Sequence, residues 1–535
     1  MSIESIWLSI LLISLLCAIM SGMPVMLAIA GVPVVIGVIA SFFGHFDLSF
    51  FGAFPQRVFG IMDNGLLIAI PLFVMMGILL ERSRIAERML LIMASFFGGS
   101  RSGLAYSVLI VSTLIAASTG IIGATIVMLG LISLPALLKA GVSVRLSSGL
   151  ICASGTLGQI IPPSIVLILL GDQISNAYIE AQQNAGNFAP DPVSVGDLFA
   201  GAILPGLLLV ALYALYVFIH SLFDKTPVKN TVRNEQGGAD NAQSSSIVKY
   251  SWHEVATVFF PPILLIAAVL GSILLGVATP TEAAAVGVAG TLLIAAANSE
   301  QASKKTKMLI LLGTVSAFCL VVLISLNAAK IDLSAEQISL EVGTLLAFLL
   351  SALLVVAILI STRQLMIDNV LKSAVQQSVS VSGMVFAIII AASMLSLVFR
   401  GFEGDEMVAH LLSNIPGDKW GALIAVMVVV FLLGFILEFV EILFIVIPLV
   451  GPVILGMDFN PIWFAIMIAI NLQTSFLTPP FGFALFYFRS VAPKSITTID
   501  IYKSVIPFVI IQIIAMGILV AFPELVTWLP ELVFQ

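Results

Sequence analysis

A chain of 535 residues that is 60% hydrophobic and only 10% charged, with a mean hydropathy of +1.17, cannot be a soluble domain, since soluble domains carry about 25% charged residues. Its composition is that of an all-α polytopic membrane protein. The net charge is −7 and there is no basic patch to hold nucleic acid; Cys17, Cys152 and Cys319 lie far apart in apolar runs, and His45, His220, His253 and His410 form no ligand-spaced pair, so neither a disulfide framework nor a metal cluster is expected.

The first apolar run begins at Ile6 without a basic region before it or a small-residue cleavage site after it, which predicts a retained first helix. Spans follow at 5–20, 24–43, 65–80 and 88–98. Residues 104–139 are too many for one membrane helix and fit the two limbs of a re-entrant hairpin, with Pro135 in the return limb. Spans at 145–171 and 196–223 precede a polar stretch, 224–250, rich in Asn, Gln, Gly and Ser, which reads as a flexible linker between halves. Further spans lie at 252–276, 281–298, 308–329, 341–361 and 369–399. A second hairpin-length run occupies 419–457, with Pro448 in its return limb, and 462–490 and 504–522 complete the series. Thr279, Pro280 and Glu282 have the pattern of a capped helix start. Arg400, Glu403, Asp405 and Glu406 read as a solvated loop. Basic clusters at Arg82, Arg84 and Arg88, at Lys225, Lys229 and Arg233, and at Lys304, Lys305 and Lys307 are expected on the cytoplasmic side. Counting back three spans from Arg82 then places the N-terminus outside.

Two interruptions organise this order. Residues 153–164 end in Pro162, Pro163 and Ser164, and residues 471–482 contain Thr478, Pro479 and Pro480. Proline has no backbone donor and its ring blocks the preceding turn, so each apolar segment must break there. Broken backbone at membrane depth survives only where protein covers it or it lines a polar cavity. The double prolines are 317 positions apart, and 64–80 and 382–398, both Met-rich, repeat at nearly the same offset. Paired interruptions in corresponding halves are the pattern of an inverted-repeat secondary transporter. Ser154-Gly155-Thr156 and Asn471-Leu472-Gln473-Thr474 are expected to be unwound and to offer carbonyl, hydroxyl and amide oxygens to a hard cation such as Na⁺. The half-helices that follow would present their amide ends to an anion. Ala117-Ser118-Thr119-Gly120 is either the first hairpin turn or a tight helix contact made by small residues. Glu438 and Glu441 share a helical face, and a carboxylate at membrane depth is by default an ion or proton site; the alternative is a solvated hairpin tip.

These residues carry a resemblance. Residues 66–77, Gly158 to Ser164, Gly276 to Ala285 and Asn471 to Pro480 resemble the large membrane subunit of the tripartite ATP-independent periplasmic (TRAP) transporters, the DctM-like permeases, over about 1–300 and 365–530. The resemblance implies an elevator-type, Na⁺-coupled importer of organic anions (carboxylates) in the bacterial cytoplasmic (inner) membrane. It implies a small four-helix, DctQ-like subunit and a periplasmic substrate-binding protein as partners, and no other cofactor. It points to Ser118, Thr119, Gly120, Ser154, Gly155, Thr156, Glu438, Asn471, Gln473 and Thr474 for sodium, and to Pro162, Pro163, Ser164, Thr478, Pro479 and Pro480 on the substrate side. The family's first turn is usually Ser-Gly-Ser; here it reads Ser118-Thr119-Gly120-Ile121.

The expected organisation is therefore N-terminal scaffold helices (1–103), the first hairpin and broken helix (104–223), the linker, and scaffold helices (251–368) including two additional spans at 308–361. The second hairpin and broken helix (369–490) and C-terminal helices (491–535) follow. No phosphate loop, nucleophile triad or metal cluster suggests an enzyme. The rival readings are a self-sufficient di- or tricarboxylate carrier that needs no binding protein, and a channel.

Overall fold

The computed structural model describes residues 3–96, 101–120, 122–223, 251–325 and 342–534, and every regular element among them is a helix. The polar stretch 224–250 and the segment from Lys330 to Gln337 lie outside the described residues. Helices α1 (Ile3–Met20) and α2 (Val25–Phe42) lead through a 3-10 turn to the short amphipathic α3 (Phe54–Asp63), then to α4 (Ala69–Arg82) and α5 (Ile85–Phe96). Next come α6 (Arg101–Thr119) and α7 (Ile122–Lys139), then α8 (Val144–Thr156), a 3-10 turn at Leu157–Gln159, and α9 (Ile165–Asn184). Helix α10 (Val195–Phe223) closes the first half. The second half holds α11 (Trp252–Leu274), α12 (Pro280–Ala297), α13 (Lys304–Ser325), α14 (Val342–Ile367), α15 (Val370–Gly401) and α16 (Gly404–Ser413). It ends with α17 (Asp418–Leu433), α18 (Phe439–Leu455), α19 (Pro461–Leu477), α20 (Phe483–Val491), α21 (Thr498–Ala521) and α22 (Glu524–Phe534). Among the described residues, eleven helices are long and apolar enough to cross a membrane.

One offset relates the halves. Adding 317 to the first residues of α6, α7 and α8 (101, 122, 144) lands on the first residues of α17, α18 and α19 (418, 439, 461). The helix caps obey it too. The Ser143 hydroxyl accepts from the Leu146 amide at 3.2 Å, and the Asn460 side chain accepts from the Trp463 amide at 3.0 Å, each satisfying an otherwise bare donor. The α12 start is also as the sequence predicts: the Thr279 amide donates to Glu282 Oε2 at 2.8 Å, closing a capping box.

Side-chain contacts fix which helix ends lie together. Arg82 donates to Gln377 at the start of α15, and Arg88 to Asn298 at the end of α12. This is the face that the positive-inside rule expects on the cytoplasmic side. At the opposite face, Trp7 near the start of α1 stacks on Phe402 just beyond α15, which is where counting spans places the N-terminus. There also Arg400 at the end of α15 meets Glu180 near the end of α9. Helices α6 and α7 leave and rejoin the basic face, meeting at Gly120, whose φ of +59° suits glycine. Helices α17 and α18 do the same from the opposite face, with Trp420 at the outer end of α17 packed on Phe459 and Trp463. The two hairpins therefore enter from opposite sides, as an inverted repeat requires.

Two expectations need correction. Arg400, Glu403 and Asp405 are not a free loop: Arg400 is in the last turn of α15, half-buried and ion-paired, because the polypeptide reverses sharply at Glu403 (φ +57°) and folds α16 back onto it. The break points also lie later in the sequence than expected, as shown below. Helices α13 and α14 pack on each other and on α12, and α14 also on α15.

Helix α21 lies so close to α8 that a Cβ on Gly149 would overlap the Ser504 carbonyl oxygen, and would come 2.7 Å from Phe508, whereas one on Gly517 would meet nothing within 4 Å. Gly149→Ala should therefore lower the thermal unfolding temperature of the purified protein, by an overpacking cost of about 1–3 kcal/mol. Gly517→Ala on the same α21 should leave that temperature unchanged or raise it slightly.

Candidate functional site

In an unbroken helix the amides at 162 and 163 would donate to the carbonyls at 158 and 159. Prolines remove both donors. Helix α8 accordingly ends at Thr156, tightens into the 3-10 turn, and restarts at Ile165 after an extended Ser164. The Ser164 hydroxyl donates to the Gln159 carbonyl at 2.8 Å. In the second half α19 ends at Leu477, Thr478 is extended, and α20 restarts at Phe483. The Pro162-Pro163 and Pro479-Pro480 peptide bonds are both cis. Ser154, Gly155 and Thr156, and likewise Asn471, Gln473 and Thr474, are thus helical, not unwound. The reason is the reach of proline: the carbonyls that lose partners lie four residues before each ring, not eight.

Each hairpin tip closes over a break. A Cβ on Gly158 would sit 3.2 Å from the Ala116 carbonyl oxygen and 3.6 Å from the Cα of Gly120. At the position 317 residues on, Ser475 takes the place of Gly158, and the tip supplies the glycine instead. A Cβ on Gly434, the counterpart of Ala117, would overlap Ser475 Oγ. In each repeat a glycine lets the tip and the break approach closely, on the break side in the first and on the tip side in the second. Hydrogen bonds reinforce the second: Asn471 Nδ2 donates to the Met427 carbonyl at 2.7 Å, and Ser475 Oγ donates to the Phe431 carbonyl at 2.6 Å, tying α19 to α17.

The repeats also touch each other. Gln473 Nε2 donates to Thr156 Oγ1 at 3.2 Å, and these two residues are themselves separated by 317 positions, so the pseudo-two-fold axis passes between them. Thr156 Oγ1 donates to the Ala153 carbonyl at 2.8 Å, and Thr474 Oγ1 to the Ile470 carbonyl at 2.7 Å, which leaves their oxygen lone pairs directed away from their own helices. Among the described residues, Gln473 Oε1 and both polar atoms of Gln159 are fully buried with no hydrogen-bond partner. Such groups cost about 1–3 kcal/mol each, and carbonyl-type oxygens are the ligands a hard cation takes.

A cavity of about 470 Å³ lies at the face opposite the basic one, bounded by α3, α9, α15 and α18. Arg57, Asn64, Asp172, Asn176, Ser396 and Arg400 line it. Burial and, next, the neighbouring Arg400 cation press the Arg57 guanidinium below its ordinary value; from so high a start it stays charged. Burial raises the Asp405 carboxyl, against the pull of Arg400.

The sequence matches, over residues 12–361 and 344–525, the family described as "Tripartite ATP-independent periplasmic transporter, DctM component". The chain belongs to this family. It is similar to the C4-dicarboxylate TRAP transporter large permease protein DctM of Vibrio cholerae, 25% identical over 512 residues, covering 94% of this chain and 95% of that one. It is also similar to the ectoine TRAP transporter large permease protein TeaC of Halomonas elongata, 23% identical over 88% of this chain and 87% of that one. Among solved structures, the YdaH transporter of Alcanivorax borkumensis shares the fold with a TM-score of 0.51 at 11% identity, over 88% of each chain. The protein is a large permease of the DctM family, a multi-pass protein of the inner membrane.

Within this DctM-family permease the predicted residues divide. Gly120, Gly155 and Thr156 lie at or beside the first tip and break, with Ser154 one turn behind, bonded to the Ile151 carbonyl at 3.4 Å. Asn471, Gln473 and Thr474 lie together on α19. The side chains of Ser118 and Thr119 lie outside the described residues. Glu438 is the N-terminal flank of α18, half-buried, and Glu441 is buried with its Oε2 accepting from the Glu438 amide at 2.9 Å. Glu441 therefore caps a helix at the second tip and is not solvated. Sequence reasoning passed over Gln159 and Ser475, which stand inside the two breaks, and Gln512, whose Nε2 donates to the buried Tyr213 hydroxyl at 2.8 Å. A lone amide in an apolar span was the available signal. The cavity residues carried no local signal, because four separate helices bring them together.

Exchanging the small residues tests the tip contact. Gly434→Ala should displace Ser475 from Phe431 and lower the unfolding temperature, a loss of about 1–3 kcal/mol. Adding Ser475→Gly, which puts alanine and glycine at the positions equivalent to Ala117 and Gly158 of the first repeat, should recover most of that loss in the same thermal scan.

Proposed function

We propose that this permease imports an organic acid, driven by Na⁺, with a periplasmic binding protein delivering the substrate and a small four-helix membrane subunit at its side. The observation that carries this reading is a pair of glutamine oxygens, Gln159 Oε1 and Gln473 Oε1, with no hydrogen-bond partner among the described residues and buried behind two hairpin tips that enter from opposite faces. In our reading these oxygens, with the carbonyls freed by the prolines and the hydroxyls of Ser154, Thr156 and Thr474, take up Na⁺. Ion binding satisfies them and seats the tips through Gly120 and Gly434. The substrate carboxylate then docks at the amide ends of α9 and α20, beside Ser164 and Thr478, where helix dipoles and bare N–H groups favour negative charge. The hairpins and broken helices move together against the remaining helices in an elevator motion, and the Na⁺ gradient supplies the work. Helices α13 and α14 belong to the static part, since they pack on α12 and α15. Relatives named for a C4-dicarboxylate, for ectoine and for sialic acid support an organic acid as cargo while varying in its identity.

The test is uptake into proteoliposomes holding the permease and its small subunit, with and without the binding protein, under an inward Na⁺ gradient. Uptake should need both the gradient and the binding protein. Gln159→Leu should raise or preserve thermal stability, because two unsatisfied polar atoms are gone, while Na⁺-dependent uptake falls about tenfold or more, the loss of one charge-assisted contact. Asn471→Leu and Ser154→Leu should abolish Na⁺-dependent uptake while the protein still inserts. Uptake that is independent of the binding protein would instead favour a self-sufficient carrier.

A further inference from the structure

The cavity at the face opposite the basic one has a charge pattern that the broken helices leave unexplained. Two arginines line it, and one is fully engaged. Arg400 Nη2 donates to both carboxylate oxygens of Glu180, at 2.9 and 2.8 Å, and its Nε lies 3.2 Å from Asp405 Oδ2. Arg57 has no ion-pair partner among the described residues. Its contacts are the Ser393 carbonyl at 3.5 Å and Ser396 Oγ at 3.4 Å, both long for hydrogen bonds. A half-buried guanidinium so placed can bind a carboxylate through two parallel N–H groups.

The far end has the opposite character. Asp172 Oδ1 accepts from Asn64 Nδ2 at 3.0 Å, and its Oδ2 from Gln173 Nε2 at 2.9 Å. Both donors are neutral, so the carboxylate charge is uncancelled and lone pairs remain to accept more hydrogen bonds. Charges can be counted. Arg400 with Glu180 and Asp405 sums to −1, Asp172 adds −1, and Arg57 alone adds +1. The five charges sum to −1, so an anionic group finds a place only at Arg57, the one cation without an ion-pair partner among the described residues, and a second anionic group would meet net negative charge. Arg57 and Asn64 are seven residues apart across α3 and its cap, roughly 10 Å. Between them, Ser393, Ser396 and Asn176 supply neutral hydrogen-bonding groups.

We infer that this cavity is a reception site for a hydroxylated monocarboxylate of about six carbons, a sugar-acid type of molecule, with its carboxylate on Arg57 and its far hydroxyls donating to Asp172. The inference rests on the permease carrying an organic acid, and it names which kind. A dicarboxylate of the same length would place its second charge against Asp172 with no free cation to meet it.

The test reads occupancy without transport. Cys17 and Cys319, the exposed cysteines, are replaced by Ser; Cys152 is buried and stays. Ser396→Cys then reports on the cavity by its rate of reaction with a membrane-impermeant maleimide applied to the periplasmic face of the full chain in membranes. Gluconate should slow the reaction. Adipate, a six-carbon dicarboxylate, at equal concentration and ionic strength, should need a concentration about fivefold or more higher for the same protection, and sorbitol should give none. Adding Arg57→Gln should remove protection by gluconate, each rate being compared with the same variant's own unprotected rate because Arg57 lies 3.4 Å from the Ser396 position, and Arg57→Lys should keep part of the protection. Equal or better protection by adipate, protection that survives Arg57→Gln, or no protection by gluconate would each overturn the inference. No Na⁺ gradient enters the measurement, so its failure is distinct from a failure of Na⁺-driven uptake.

Discussion

A prolyl nitrogen carries no hydrogen, and the bilayer interior has no water to stand in for one. The architecture around both breaks answers that shortage. Carbonyls stripped of their donors must be covered by protein, and covering them closely requires small residues at the point of contact. Gly158 against the Ala116–Gly120 tip, and Gly434 against Ser475, are the two forms this takes. The hairpins themselves follow from it, because a cap that enters from one face and turns back can shield a break at membrane depth without crossing the bilayer. What is covered but left without a hydrogen-bond partner among the described residues is the Gln159 amide and Gln473 Oε1.

The distribution of charge follows a different logic. Arginine and lysine gather at the face with Arg82, Arg84 and Arg88, as membrane insertion favours. The two arginines at the other face are held by neighbours, Arg400 by two carboxylates and Arg57 by two serines only. That difference in partners, not the mere presence of arginine, is what gives the cavity its polarity.

Much of this was legible in the residues alone. Double prolines in apolar runs fix where helices must end, and hairpin-length spans such as 104–139 and 419–457 announce two limbs, because both signals are local. The position of the unwound turn was misread by several residues, since composition around Ser154 and Asn471 suggested ligands while the proline ring acts only four residues back. The Glu438 and Glu441 pair left an ion site and a solvated tip open; burial excludes the solvated tip for Glu441, and its helix-capping bond depends on the Glu438 backbone, which the sequence does not display. The Arg400 cluster looked like exposed loop because its partner Glu180 is 220 residues away in sequence. The cavity was not legible at all: Arg57, Asp172 and Ser396 belong to helices whose proximity only the folded chain creates.

The constant spacing of 317 between the halves has an energetic consequence. When two equivalent segments fold inversely and meet at Thr156 and Gln473, an exchange of their shapes, each taking the geometry of its counterpart, would give an arrangement related to the first by the two-fold axis and facing the other way. Two such states would be isoenergetic in a perfect duplication. Here the copies differ at most positions, Gln159 against Phe476 and Gly158 against Ser475 among them, so the two arrangements cannot be equal in energy and one of them is favoured at rest.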